Sequence, residues 1–161
     1  MRSTSAGSLA CIGAIIVAFG CSSSSNSFTV GNATVDDTTY TCPAGSNNAA
    51  YELHARFDAH NPTSTTVTIL SVGATLKLAA TKGSWLEKVG DVYDAGKASF
   101  TPNSVAPGAS ASVNVTIASA CTSAKAPGAT SSYGEYEVML HVTSSGGSFN
   151  TVTANRHRLI A

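Results

Sequence analysis

Four histidines, four cysteines and nine carboxylates are the side chains of this chain that could do chemistry. His54 and His60 have the same parity on what reads as a strand, so they share a face. Six residues of strand hold them roughly 20 Å apart, beyond a shared metal. Met139 and His141 form a Met-x-His pair on one strand face, a donor set that would interest copper, but no third ligand is placed beside it. A blue-copper centre needs Cys, His and Met grouped near one loop. The stretch following Cys121 brings neither His nor Met close to it. Asp36 with Asp37, and Asp91 with Asp94, could offer oxygens to calcium, yet neither pair supplies the spaced run of oxygens a calcium loop requires. They read as solvated turns. Arg156-His157-Arg158 is a small basic cluster that reads as an exposed strand end. The chain contains no G-x-S-x-G elbow, no phosphate-cradling glycine loop and no H-E-x-x-H. The expectation is therefore a protein that is not an enzyme, with no catalytic residues, no metal and no cofactor.

The elements that would have to position these residues are strands. The chain has 161 residues, enough for one domain. Val and Thr are abundant, and β-branched side chains suit a pleated surface. Nine basic and nine acidic side chains cancel, so no field draws in nucleic acid. Tyr51 to Asn61 alternates: Tyr51, Leu53, Ala55, Phe57 and Ala59 point one way, and Glu52, His54, Arg56, Asp58 and His60 the other. Asn61-Pro62 breaks the strand. Thr65 to Leu78 also alternates, with a phase change that predicts a bulge or bend near Ile69–Gly73. Ala111 to Cys121 and Glu135 to Thr143 repeat the pattern, with Tyr136, Val138, Leu140 and Val142 inward. A Ser145–Ser148 turn predicts a hairpin into a last strand, about Asn150 to Leu159. An early strand is expected around Val35 to Cys42. Residues 84–94 can be read two ways. Trp85, Leu86, Val89, Val92 and Tyr93 lie at helical spacing, but Gly90 costs a helix about 1 kcal/mol. A pair of short edge strands about Gly90 is the preferred reading.

The first twenty residues are a separate object. Arg2 is the only charge before Asp36, and Leu9 to Phe19 is an apolar run of eleven residues. A positive start, a short apolar middle and small residues before a cut site describe a secretory signal peptide. Eleven helical residues cover about 17 Å, too short to span a hydrocarbon core of about 30 Å.

Ala18-Phe19-Gly20-Cys21 resembles the lipobox of bacterial lipoproteins. Gly20 and Cys21 match that pattern, whereas Ala18 departs from the usual Leu. The resemblance implies cleavage before Cys21 and a lipid on its sulfur, with added acyl chains such as palmitate. Ser22 to Ser27 is polar and uncharged and reads as a flexible tether. With Cys11 removed in the signal peptide and Cys21 carrying lipid, Cys42 and Cys121 remain. In an oxidising compartment they are expected to pair. Closing that loop of about 80 residues is worth roughly 4–5 kcal/mol by loop-closure entropy.

The block APGASASVNVTI followed by GEYEVMLHV resembles the closing half of bacterial immunoglobulin-like or fibronectin-type domains. The antibody-type hallmarks are missing, with Ser119 where a corner tyrosine would stand. The expected fold is all-β: an antiparallel immunoglobulin-like β-sandwich of about 7–9 strands, with at most one short helix near 84–94. The expected organisation is a signal peptide over 1–20, a lipidated and Ser-rich tether over 21–30, and the sandwich over 31–161. The expected function is a non-catalytic binding or interaction module, monomeric and exported. It would be held by lipid to the cell membrane or outer membrane, with a protein or glycan partner in the envelope. The alternative is a small-ligand or copper-binding lipoprotein using Met139, His141 or the Trp85–Tyr93 region.

Overall fold

Strict alternation over a dozen residues can bury one face only if a second layer of structure covers it. The computed structural model, which describes residues 26–36, 38–123 and 132–161, satisfies this with an all-β sandwich. Strand β1 covers Thr29–Val35, β2 Thr39–Thr41, β3 Ala49–His60, β4 Val67–Lys82 and β5 Val92–Thr101. Then come β6 (Ser104–Val105), β7 (Ser110–Cys121), β8 (Tyr133–Ser144), β9 (Gly147–Val152) and β10 (His157–Ile160). The described residues thus hold ten strands, against the 7–9 expected, and no helix. The predicted signal peptide, Cys11, Cys21, the start of the tether and Asp37 lie outside the described residues.

One layer is β1-β3-β7 and the other is β4-β8-β10-β2, with β6 beside β4 and β9 beside β8. Strand β5 belongs to both. Its first part, Val92 to Ala98, pairs with β4, and Ser99 to Thr101 pairs with β7. The path is therefore continuous around a corner and does not form two separate immunoglobulin-type sheets. A second departure from expectation is the parallel pairing of β2 with β10. All other pairs are antiparallel.

The core lies between the layers. Leu53, Ala55, Phe57 and Ala59 of β3 and Val113, Val115 and Ile117 of β7 face Val72, Ala74, Leu76 and Leu78 of β4 and Val138, Leu140 and Val142 of β8. Burying each large apolar side chain is worth about 1.5–3 kcal/mol, so this seam outweighs surface ion pairs worth about 0–1 kcal/mol each. The phase change in β4 is a register shift between Ile69 and Ser71. It leaves Leu70 outside at 62 % exposure and brings Ile69 and Val72 both inward, at the place the alternation predicted.

Four local expectations are corrected. The early strand is two strands, β1 and β2, because the chain turns at Asp36. The last strand is broken into β9 and β10 at residues 153–156. Here Thr153 Oγ1 donates to the Asn155 carbonyl at 2.7 Å, and the Asn155 side chain turns to β1. The pair of short strands around Gly90 is absent. Instead residues 83–91 form a loop whose Gly90 N–H donates to the Leu78 carbonyl at 2.8 Å, and one long strand begins at Val92. The Arg156–Arg158 end is not exposed throughout, since His157 is fully buried.

The register defines two ends. At the near end, where the chain enters at Phe28, lie His60, Val67, Ser110 and Ser144. Phe28 is 2 % exposed and packs edge-on against Phe149, ring centroids 5.5 Å apart. At the far end lie Ala49, Lys82, Val92, Cys121, Tyr133 and Ile160. There Cys42 and Cys121 are joined, with Cα atoms 6.0 Å apart, tying the strand β2 side of one layer to β7 of the other.

Candidate interaction surface

All five tyrosines and the single tryptophan lie in the far half of the sandwich. Tyr40 is opposite Leu159, Tyr51 opposite Ser119 and Tyr93 opposite Leu76. Tyr133 is opposite Lys82, Tyr136 is opposite Leu78, and Trp85 is in the 83–91 loop. The phenylalanines Phe28, Phe57, Phe100 and Phe149 occupy the near half. Tyr and Trp combine apolar area with a polar handle, which is why they are enriched where proteins bind.

The far half is built in two tiers. In the inner tier, Tyr40 and Tyr51 stack at 4.2 Å with planes 7° apart, and Tyr51 stacks in turn on His157 at 5.8 Å. The Tyr51 hydroxyl and His157 Nε2 are 3.3 Å apart. Burial pushes the Tyr51 phenol above its ordinary value, against a lowering hydrogen bond from Ser119. Trp85 Nε1 donates to the Tyr136 hydroxyl at 3.2 Å, and that hydroxyl donates to Glu87 Oε2. Burial first, and the Glu87 carboxylate second, raise the Tyr136 phenol far above the usual range. The indole can lie this low because residue 134 is glycine: a Cβ there would come within 2.7 Å of the ring. Tyr136 thus fixes the 83–91 loop from both sides.

The outer tier is apolar and open. Leu86 is 84 % exposed, Val92 64 %, Val89 61 % and Tyr93 48 %. Four of the large apolar side chains left in water therefore sit within eight consecutive residues, where scattered single residues would be ordinary. Both signs of charge rim them, with Glu87, Lys88, Asp91 and Asp94 in the same stretch. On β8 and β10, Arg158 lies over the Tyr133 ring at 4.5 Å and pairs with Glu135 at 2.5 Å, while Arg156 reaches Glu137 at 3.3 Å. The Arg158 hydrogen bond holds the Glu135 carboxyl below its ordinary value.

The residues singled out by type are dispersed. His54 is outward beside Glu52 at 3.7 Å, and His60 Nδ1 is 2.9 Å from Ser110 Oγ. His141 is hydrogen-bonded at both ring nitrogens, to Thr75 Oγ1 at 3.2 Å and Asn150 Oδ1 at 2.8 Å. A metal at Met139 and His141 would have to displace one of these bonds. Asp91 Oδ2 accepts from the Lys88 N–H and Asp94 Oδ1 from the Gly96 N–H, each at 2.8 Å, so both aspartates build turns. Asp36 lies 3.5 Å from Arg56. Among the described residues no three His, Cys, Asp or Glu side chains group as a metal site. Sequence reading singled out the Trp85–Tyr93 region but not Tyr40, Tyr51, Tyr133 or Tyr136, because each of these looks like an ordinary core or strand residue until the register brings them to one end.

No protein family matches the chain, and no curated protein matches it. Solved structures similar to it in part include the following three. One is a Northeast Structural Genomics Consortium target, SoR45, at 12 % identity and a TM-score of 0.39, covering 83 % of this chain and 85 % of that one. Another is Spo0M, a sporulation control protein from Bacillus subtilis, at 10 % identity and 0.40. That match covers 84 % of this chain and half of the sporulation protein. The third is a PapD-like domain of human CEP192, at 14 % identity and 0.25, covering 80 % and 82 %. Likenesses this distant carry no argument about function.

Proposed function

We propose that the chain is an exported lipoprotein, held to a membrane by lipid on Cys21, whose sandwich is a non-catalytic interaction module working through its far end. The observation that carries the reading is the opposition of two ends. The chain enters at Phe28, and the tyrosines, Trp85 and the exposed aliphatics Leu86, Val89 and Val92 are gathered at the other. Ser22 to Ser27 can reach at most about 20 Å when extended, and about 13 Å as a coil. Such a tether would keep the near end against the bilayer. Strand β3 has twelve residues, so the far end stands about 36 Å beyond. Aromatic and aliphatic side chains in a mixed-charge rim suit a protein partner, since a nucleic acid or anionic lipid would require a basic field.

The test has two arms. Cys21→Ala should abolish lipidation, seen by intact mass, and release the chain from membranes; equal retention of the variant overturns the anchor. A photo-cross-linking residue at Val89 should give a discrete adduct in intact cells, and one at Ser64, at the near end, should not. Adducts of equal yield at both positions, or at neither, would overturn the assignment of the far end.

A further inference from the structure

The passage of β5 from one layer to the other leaves part of β7 without a neighbour. Ser99 to Thr101 pair with Asn114 to Thr116, whereas Val92 to Ala98 pair with β4. Beyond Thr116, towards the far end, β7 has β3 on one side and no strand on the other. The ladder fixes where its backbone groups point. Asn61 N–H donates to the Ala109 carbonyl at 2.9 Å, and from there the register between β3 and β7 runs unbroken. In an antiparallel pair every second residue exchanges both bonds with the residue opposite. Ile117, Ser119 and Cys121 therefore bond to Leu53, Tyr51 and Ala49. The N–H and C=O groups of Ala118 and Ala120 point the other way, into the split. On β1 the same alternation turns Val35 outward, and there the Asn155 amide meets both groups. Among the described residues no group caps Ala118 or Ala120 in this way, and both are exposed.

We propose that an extended segment of a partner protein adds a strand in this split, hydrogen-bonded to Ala118 and Ala120 of β7. The proposal rests on the reading of the far end as an interaction surface and names the form of its partner. Unpaired strand backbone is a template for another strand, with main-chain bonds giving affinity and alternate side chains giving specificity. Ala118 and Ala120 let a second backbone approach closely, and residues 117–121 hold no Lys or Pro of the kind that blunts a margin. The facing part of β5 is a poorer template, because its register shifts at Ala95 and Asp94 Oδ1 takes the Gly96 N–H. Tyr93 shows that the split is open. It stands opposite buried Leu76 and so faces inward, yet half of it is in water. Tyr51, opposite Ser119, lies on the other side. An added strand would cover Tyr93 with every second side chain, so those positions are apolar. Asp94 and Lys97 stand together on β5 and favour neither sign, so the segment is uncharged. The open run is only residues 117–120, which suits a strand of about four to six residues better than the roughly 1,200–2,000 Å² of a globular pair. The chain's own tether enters at the opposite end.

The experiment uses the full chain and, as probe, acetyl-Thr-Val-Thr-Val-Thr-Val-amide. In the free protein the Ala118 and Ala120 amides should exchange with solvent at least about 10-fold faster than those of Ile117 and Ser119, which β3 protects. Equal protection overturns the open edge. The peptide should slow exchange at Ala118 and Ala120. The same peptide N-methylated throughout keeps its side chains and loses its donors, and should bind at least about 10-fold more weakly. Ala118 donates to no strand of the domain, so Ala118→Pro removes only the open donor; it should keep the β-sheet circular dichroism and weaken the peptide by about 10-fold. The methylated peptide needs no change in the chain, so a misfolded variant leaves the test intact. No binding at millimolar peptide overturns the proposal, as does binding that survives methylation or Ala118→Pro. Protection of Ala118 and Ala120 that rises with protein concentration alone also overturns it, in favour of a second copy of this chain. In cells, the cross-link at Val89 should be lost in Ala118→Pro. An adduct that persists overturns the added strand and leaves the far end as the interaction surface, whereas no adduct in the parent chain overturns the far end itself.

Discussion

The Tyr136 hydroxyl takes one hydrogen bond from Trp85 and gives another to Glu87. A net hydrogen bond is worth about 0.5–1.5 kcal/mol. Tyr136→Phe should therefore cost about 1–3 kcal/mol in urea unfolding and change Trp85 fluorescence, with the β-sheet circular dichroism intact. Its pH signature has a definite sign. Burial raises the phenols of Tyr136 and Tyr51 above 10.0, so the folded chain keeps protons that the unfolded chain releases. This stability is fully present below about pH 10 and declines as pH rises beyond it. The decline should be shallower in Tyr136→Phe, measured by unfolding at stepped alkaline pH. A decline equally steep in the variant would mean that Tyr136 does not couple to folding. Individual residues were legible in the sequence where alternation was clean: every inward position called on β8, from Tyr136 to Val142, is buried. His157 was missed because its arginine neighbours drew attention to charge. Parity with Leu159 was the signal that placed it inward, and both are buried on β10.

At the scale of elements, each sheet margin is closed by a different device. Strand β2 is three residues long and held by Tyr40 on Tyr51. Strand β5 carries a register shift at Ala95, with Gly96 at φ +71° and the Asp94 side chain folded back onto it. Strand β1 is finished by an amide: Val35 N–H donates to Asn155 Oδ1 at 2.8 Å, and Asn155 Nδ2 donates to the Val35 carbonyl at 2.7 Å. The Ala154 N–H adds a bond to the Ala33 carbonyl. Exposed strand margins are templates for aggregation, and short, bulged or covered margins blunt them. Asn155→Ala should leave both Val35 groups without their partner, lower stability by about 1–3 kcal/mol and speed amide exchange at Val35. Unchanged exchange there would show that the amide does not act as a strand substitute. The long strands were readable because one face of each is buried. Strand β5 was not, because its residues are exposed or half-buried throughout and alternation is confined to Ala98–Thr101. The break between β9 and β10 was hidden for a related reason: Thr153 and Asn155 are polar residues that satisfy backbone groups, and nothing in their type says which.

For the whole molecule, the sequence supplied the all-β class and the two cysteines that the structure joins. It did not supply the polarity of the sandwich, which exists only once the register assigns each tyrosine to an end. The Cys42–Cys121 link closes 79 residues of chain, so removing it with a Cys42→Ala, Cys121→Ala pair should lower stability by up to about 4–5 kcal/mol. Guanidinium unfolding checks this; a loss under about 1 kcal/mol would mean that the unfolded chain is little constrained by the loop. The same link has a mechanical meaning. A pull between Phe28 at one end and Ala161 at the other runs along the strands, so it loads their hydrogen bonds in shear, many at once. If the sheets do part, only the chain outside the closed loop can lengthen. The chain within it, roughly 280 Å when drawn out, stays locked behind one covalent bond. A tug on the far end would meet a leash of fixed length instead of an unravelling thread.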